Sequence, residues 1–228
     1  MVTRLTLLHT SPVHVPVFDA LRDRDHPGTV LRHLVAPELL DRARTDGPDS
    51  VAAALRALLT GSAGPVLVTC STLGAVAESL APELGVSVLR VDRPMAARAV
   101  RTGARIAVLA TVESTLAPTV ALLTEEAERA GRPVSVTTHL VAQAWSRFEA
   151  GDTAGYLALV ARAADGITEA DVLVLAQASM ADAALLTRTS TPILASPAPG
   201  LAAAAHAARH GAVNPYEVVD HAARIAPN

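Results

Sequence analysis

The stretch Pro65-Val66-Leu67-Val68-Thr69-Cys70-Ser71-Thr72-Leu73-Gly74 contains the single cysteine of a 228-residue chain. Val66 to Thr69 are apolar or β-branched, and two hydroxyl residues follow the thiol. This pattern reads as a buried strand, a turn and the start of a helix. A thiolate at such a junction meets unpaired backbone N–H groups and the positive end of a helix dipole, and both lower a thiol pKa. The same side chain also serves as a small buried hydrophobe. The rest of the chain has to decide between the two.

Working outward, the same strand–turn–helix unit recurs. In the first half, strands are expected over 3–8, 29–35, 65–69 and 87–91, with helices over about 15–23, 37–44, 50–59, 73–81 and 94–102. The pattern then restarts. Strands are expected over 105–110, 133–138, 171–175 and 192–195, with helices up to about 130 and over 141–149, 153–165, 179–186, 200–209 and 215–225. Runs such as Arg105-Ile106-Ala107-Val108-Leu109-Ala110 do not alternate, so their strands are covered on both faces. That predicts an α/β fold with parallel sheets. Matching polar tips support two half-chains of one plan. Ser11 to Cys70 is 70 − 11 = 59 residues, and Thr111 to Gln177 is 177 − 111 = 66. Thr102-Gly103-Ala104 is the hinge candidate.

Composition narrows the function classes. Half the residues are hydrophobic and 18% are charged, which suits a well-buried core. A net charge of −3 and 2% aromatics give no footprint for nucleic acid. No apolar run reaches the length of a membrane span. Met1 to Leu5 lead straight into a strand-like run, and one cysteine excludes an internal disulfide, so a cytoplasmic protein is expected. All nineteen basic residues are arginine. Without lysine there is no pyridoxal Schiff base and no lysine general base.

Ligands of open α/β sheets sit beyond the carboxyl ends of the strands. The residues expected there are Thr10, Ser11, Cys70, Ser71, Thr72, Thr111, Ser114, Thr115, Gln177, Ser179 and Ser196. Some of these hydroxyls suit N-caps. Converging with backbone N–H groups, they also suit a carboxylate. His9 and His14 border the same rim as acid/base candidates or structural residues. His206 and His210 read as a partly wet helix face. No metal site and no cofactor is expected. Gly-rich dinucleotide fingerprints, phosphate loops and nucleophile elbows are all missing. Arg93, Arg98 and Arg101 read as a solvated helix face.

Taken together, these segments resemble the cofactor-independent Asp/Glu/hydantoin racemase superfamily. Val68-Thr69-Cys70-Ser71-Thr72 is similar to its first cysteine motif. Ala110-Thr111-Val112-Glu113-Ser114-Thr115 is similar to its Ala-Thr-x-x-Thr turn. Asp92-Arg93-Pro94-Met95-Ala96 and Leu175-Ala176-Gln177-Ala178-Ser179-Met180-Ala181 are similar to segments of one branch. The resemblance implies two pseudo-symmetric, flavodoxin-like α/β domains with the active site in the cleft between them. The first would comprise 1–102 plus about 197–228, and the second 103–196. In the racemases, two cysteines face each other across the substrate α-carbon. One thiolate removes the α-proton and the other thiol returns one to the opposite face, through an enediolate.

Here the second cysteine is missing, and its place falls at Gln177. Cys70 is the expected catalytic residue, and Gln177, Ser179 and His9 are the partner candidates. Ser11, Ser71, Thr72, Thr111, Ser114, Thr115 and Ser196 are the expected substrate-binding residues. The expected activity is a cofactor-independent racemase, epimerase or isomerase acting on a small carboxylate. A one-cysteine decarboxylase and a non-catalytic carboxylate-binding protein are the alternatives. No nucleic-acid or membrane partner is expected, and Ala-rich helices make a homo-oligomer possible.

Overall fold

The computed structural model describes residues 3–210 of the chain. The helix expected over 215–225 lies outside them. The described residues divide into two compact units, 3–94 with 197–210 and Met95–Ser196.

The first unit runs β1 (Arg4–His9), α1 (His14–Asp25), β2 (Val30–Val35), α2 (Pro37–Asp46), a 3-10 turn into α3 (Ala52–Leu59), β3 (Val66–Val68), α4 (Ser71–Ser79), α5 (Ala81–Leu84) and β4 (Val88–Arg90). Helix α6 (Arg93–Thr102) leads into the second unit. There follow β5 (Arg105–Ala110), α7 (Leu116–Ala130), β6 (Ser135–Leu140), α8 (Ala142–Glu149), α9 (Thr153–Asp165), β7 (Val172–Leu175), a 3-10 segment over Ala178–Leu186 and β8 (Ile193–Ala195). Helix α10 (Pro197–His210) returns to the first unit.

Each unit holds a four-stranded sheet, and both have one plan: β2-β1-β3-β4 and β6-β5-β7-β8. All six pairings are parallel. This is the α/β arrangement expected from the non-alternating runs. The inner strands β1, β3, β5 and β7 are buried almost throughout. The edge strands β2 and β6 are only partly covered, and their sequences carry the polar residues that mark this.

The two-residue period of the strands sorts the side chains into layers. In the first unit, Leu8, Val66, Val68 and Val88 pack under α2, α3 and α4. Leu5, Leu7, Leu67 and Leu89 pack with Phe18 of α1 and Leu201 of α10. In the second, Ile106, Val108 and Val174 face α7, while Ala107, Leu109 and Leu173 face α8 and α9. Each buried Leu, Val or Ile contributes about 1.5–3 kcal/mol.

The sequence places helix α6 in the first domain. Its Met95, Ala96, Ala99 and Val100 are buried in the core of the second unit. The 3-10 geometry of Ala178–Leu186 replaces the α-helix expected over 179–186. Helix α10 approaches the end of β4 so closely that a Cβ on Gly200 would lie 2.5 Å from the Val91 carbonyl oxygen. Among the described residues, no helix is long and apolar enough to cross a membrane.

Candidate active site

In the first unit the chain order reverses at β1, with β2 on one side and β3 on the other. Leu8 lies opposite Val68 in register, so the tips of β1 and β3 stand side by side. This is the switch point at which such sheets bind ligands. His9, Ser11, Cys70, Ser71 and Thr72 are brought together there. Cys70 is the N-cap of α4, in extended conformation with φ −108° and ψ 117°. Its side chain makes no capping bond, and the residue is partly exposed. Ser71 and Thr72 form the first turn of α4. The hydroxyls of Ser11 and Thr72 bond to no described residue. At Cys70, therefore, N-capping does not consume the rim.

His9 sits differently from the acid/base partner the sequence suggested. It is fully buried, and both ring nitrogens are engaged. Thr69 Oγ1 donates its one proton to the Leu8 carbonyl at 3.0 Å. It must therefore accept from His9 Nδ1–H, at 2.8 Å. Neutral His9 then has a bare Nε2, which accepts from His33 Nδ1–H at 2.8 Å. His33 Nε2 in turn lies 3.4 Å from Asp19 Oδ1. Burial, with His33 and His14 nearby, pushes the His9 pKa down to about 3. The imidazole thus ties β1 to Thr69 and fixes the backbone leading into Cys70.

A buried charge cluster lies behind α4. Arg90 Nε and Nη2 each donate to the Asp92 carboxylate at 3.0 Å. Arg93 donates to Glu78 of α4 through both Nε and Nη2. Arg93 is only 4% exposed, so it does not lie on the solvated face expected of it; Arg98 and Arg101 are exposed. The Asp92 carboxylate and nearby Glu78 keep the Arg90 pKa above its usual value, against the opposing pull of burial. Arg90 reaches across α4 at Gly74, where a Cβ would lie 2.8 Å from Arg90 Nε.

The second unit repeats the plan at the tips of β5, β7 and β8. Thr111, Ser114 and Thr115 follow β5, Gln177 and Ser179 follow β7, and Ser196 follows β8. The Gln177 side-chain oxygen accepts from Thr111 N at 2.6 Å, Thr111 Oγ1 at 2.9 Å and Val112 N at 3.3 Å. Those donors fix which end of the amide is oxygen. Ser179 Oγ is 2.8 Å from the hydroxyl of fully buried Tyr156. Burial raises the Tyr156 pKa against its bonds to Ser179 and Thr111. Among the described residues, no cluster of His, Cys, Asp or Glu could hold a metal ion.

No family model matches the sequence, and comparison with curated protein sequences finds no match. Solved structures do match. Allantoin racemase from Pseudomonas fluorescens aligns with TM-score 0.61 and 20% identity, over 93% of this chain and 95% of that one. Glutamate racemase from Francisella tularensis, in complex with D-glutamate, aligns with TM-score 0.65 and 12% identity, over 88% and 79%. A mutant of arylmalonate decarboxylase in its liganded form aligns with TM-score 0.55 and 20% identity, over 92% and 94%. The chain has the fold shared by these racemases and this decarboxylase.

Within that fold, the segments 68–72 and 110–115 fall on strand tips, one in each unit. The segment 175–181 places Gln177 at the tip of β7. A carboxamide whose oxygen is held by three donors moves no protons at neutral pH. Its Nε2 bonds to no described residue and remains a donor pair. Sequence reasoning missed Tyr156, His33 and Asp19. Tyr156 carried a usable signal, being one of two tyrosines in a chain with 2% aromatics. His33 carried none, because only the β1–β2 register brings it beside His9.

Proposed function

We propose that this chain is a cofactor-independent enzyme of the racemase, epimerase or isomerase type. It acts at the carbon next to a carboxylate or carbonyl of a small acid, with Cys70 as acid/base or nucleophile. The supporting observation is a partly exposed thiol at the N-cap of α4, on the β1/β3 switch point. The thiolate takes the α-proton, and the electron pair moves into the carboxylate as an enediolate. Water delivers a proton to the opposite face of the carbon, and the Cys70 thiol returns its proton to the resulting hydroxide, which completes the turnover. Ser11, Ser71, Thr72, Thr111, Ser114, Thr115 and Ser196 are the proposed carboxylate-binding residues. Neutral hydroxyls and N–H groups stabilise such charge without moving during the reaction.

The Gln177 amide favours a second reading, a one-thiol decarboxylation in which the substrate loses CO2 and Cys70 protonates the resulting enediolate. One experiment tests both. A panel of α-substituted acids is incubated with the protein in D2O. Deuterium incorporation, chirality and CO2 release are followed together. Exchange at the α-carbon without CO2 release fits the isomerase reading; CO2 release with one deuterium per product fits the lyase. Cys70→Ala is expected to lower turnover by at least about 100-fold, the usual share of an acid/base group. Full activity in Cys70→Ala would overturn the mechanism. Binding without any turnover across the panel would leave a carboxylate-binding protein.

A further inference from the structure

We propose that His14 is a ligand-binding residue at the first unit's tip, presenting Nε2–H as a hydrogen-bond donor to a carboxylate or carbonyl oxygen of the substrate. The identity of that ligand rests on the reading of Cys70 above; the donor itself rests on geometry. His14 opens α1, just beyond the tip of β1. Its ring centroid is 6.2 Å from that of His9, and His9 holds Thr69, the residue before Cys70. His14 therefore belongs to the same tip as the thiol.

Among the described residues, His14 Nδ1 is the one buried side-chain nitrogen or oxygen without a hydrogen-bond partner. Buried polar groups are nearly always paired, so this exception calls for a cause. A bare lone pair is tolerated without a partner more often than a buried N–H. The proton of the neutral ring therefore sits on Nε2. That nitrogen bonds to no described residue and is not buried, so it is the open end of the ring. Charging the ring would create a buried, unpaired N–H, and burial pushes the His14 pKa down to about 4. At neutral pH the side chain is thus an uncharged donor. It strengthens its bond as negative charge grows on a substrate oxygen, without giving up its proton. Ser11, three residues earlier with an unbonded hydroxyl, offers a second donor. His9 has no such role, because both its nitrogens are used internally.

The test uses the full chain labelled with ¹⁵N-histidine, and malonate as the probe. His14 signals are assigned by their loss in His14→Gln. The expected spectrum near neutral pH has Nε2 protonated and Nδ1 bare, and saturating malonate shifts the Nε2–H signal. His14→Ala is expected to weaken malonate binding about tenfold, as loss of a hydrogen bond to a charged group does. His14→Gln, whose amide N–H reaches the same place, is expected to keep most of it. An Nδ1–H tautomer, malonate that does not bind, or equal affinity in His14→Ala would overturn the proposal. The two readings fail separately. Exchange retained in Cys70→Ala, with malonate still shifting His14, removes the thiol mechanism and leaves the donor. Exchange lost in Cys70→Ala, with malonate affinity unchanged in His14→Ala, does the reverse.

Discussion

Two histidines a few residues apart have opposite fates, and both depend on pairing. His9 is buried with two partners, and His14 has one nitrogen buried with none. Both are held far below the ordinary pKa of 6.5, at about 3 and about 4, with burial the largest cause for each. In the unfolded chain they bind protons as pH falls below 6.5; in the folded chain they do not. Their contribution to stability is therefore complete above about 6.5 and is lost as pH falls toward the folded values. At pH 5 each has lost about 2 kcal/mol, a large part of the ~5–15 kcal/mol that holds a domain together. The urea midpoint should fall steeply between pH 7 and about pH 5, and His9→Gln should flatten the fall. A midpoint unchanged over that range would show that the two rings are not buried as described.

At the scale of elements, α4 carries the thiol at one end and lies against Arg90 along its length. Gly74 makes this contact possible, since a Cβ would stand 2.8 Å from Arg90 Nε and 3.1 Å from its Cγ. Alanine is the better helix former by about 1 kcal/mol, so propensity alone predicts that Gly74→Ala stabilises. Displacing Arg90 from the buried Asp92 carboxylate outweighs that gain, because breaking a buried pair costs about 3–5 kcal/mol. Gly74→Ala should therefore destabilise by about 2 kcal/mol or more in chemical denaturation. A more stable variant would mean that Arg90 finds another path.

The contrast shows which features the sequence made legible. Local pattern announced β5, with Ile106 to Ala110 unbroken, and the Val66–Cys70 junction, with a hydroxyl pair after an apolar run. Strand β6 begins at Ser135, two residues after the expected start, because Ser135, Thr137 and Thr138 carry the mixed pattern of an edge, which marks no sharp boundary. Cys70 and Gln177 were readable as tips, since a tip needs only a strand end. Their surroundings were not. The His9–His33, Arg90–Gly74 and Tyr156–Ser179 contacts join residues 24, 16 and 23 positions apart, and only register and packing bring each pair together.

Over the whole molecule, one plan serves two units that differ in how the chain builds them. The second unit is continuous, Met95–Ser196, and closes both faces of its sheet with its own helices. The first unit is not. One face of its sheet is covered by α1 and α10, and α10 arrives after the second unit is complete. Leu201, Ala203, Ala204, Ala205 and Ala207 pack there on Leu5, Leu7, Leu67 and Leu89. A chain ending at Ser196 would leave those four leucines covered by α1 alone, losing up to about 1.5–3 kcal/mol for each one that becomes fully exposed. That sum approaches the whole stability of a domain. The fragment 95–196 is thus expected to unfold cooperatively, with helical circular dichroism and protected amides in β5 and β7. The chain 1–196 should keep that protection but lose it in β1 and β3, as read by hydrogen exchange. Protection of β1 in the truncated chain would show that α10 is dispensable to the first sheet, and an unfolded 95–196 fragment would show that its core does not stand alone.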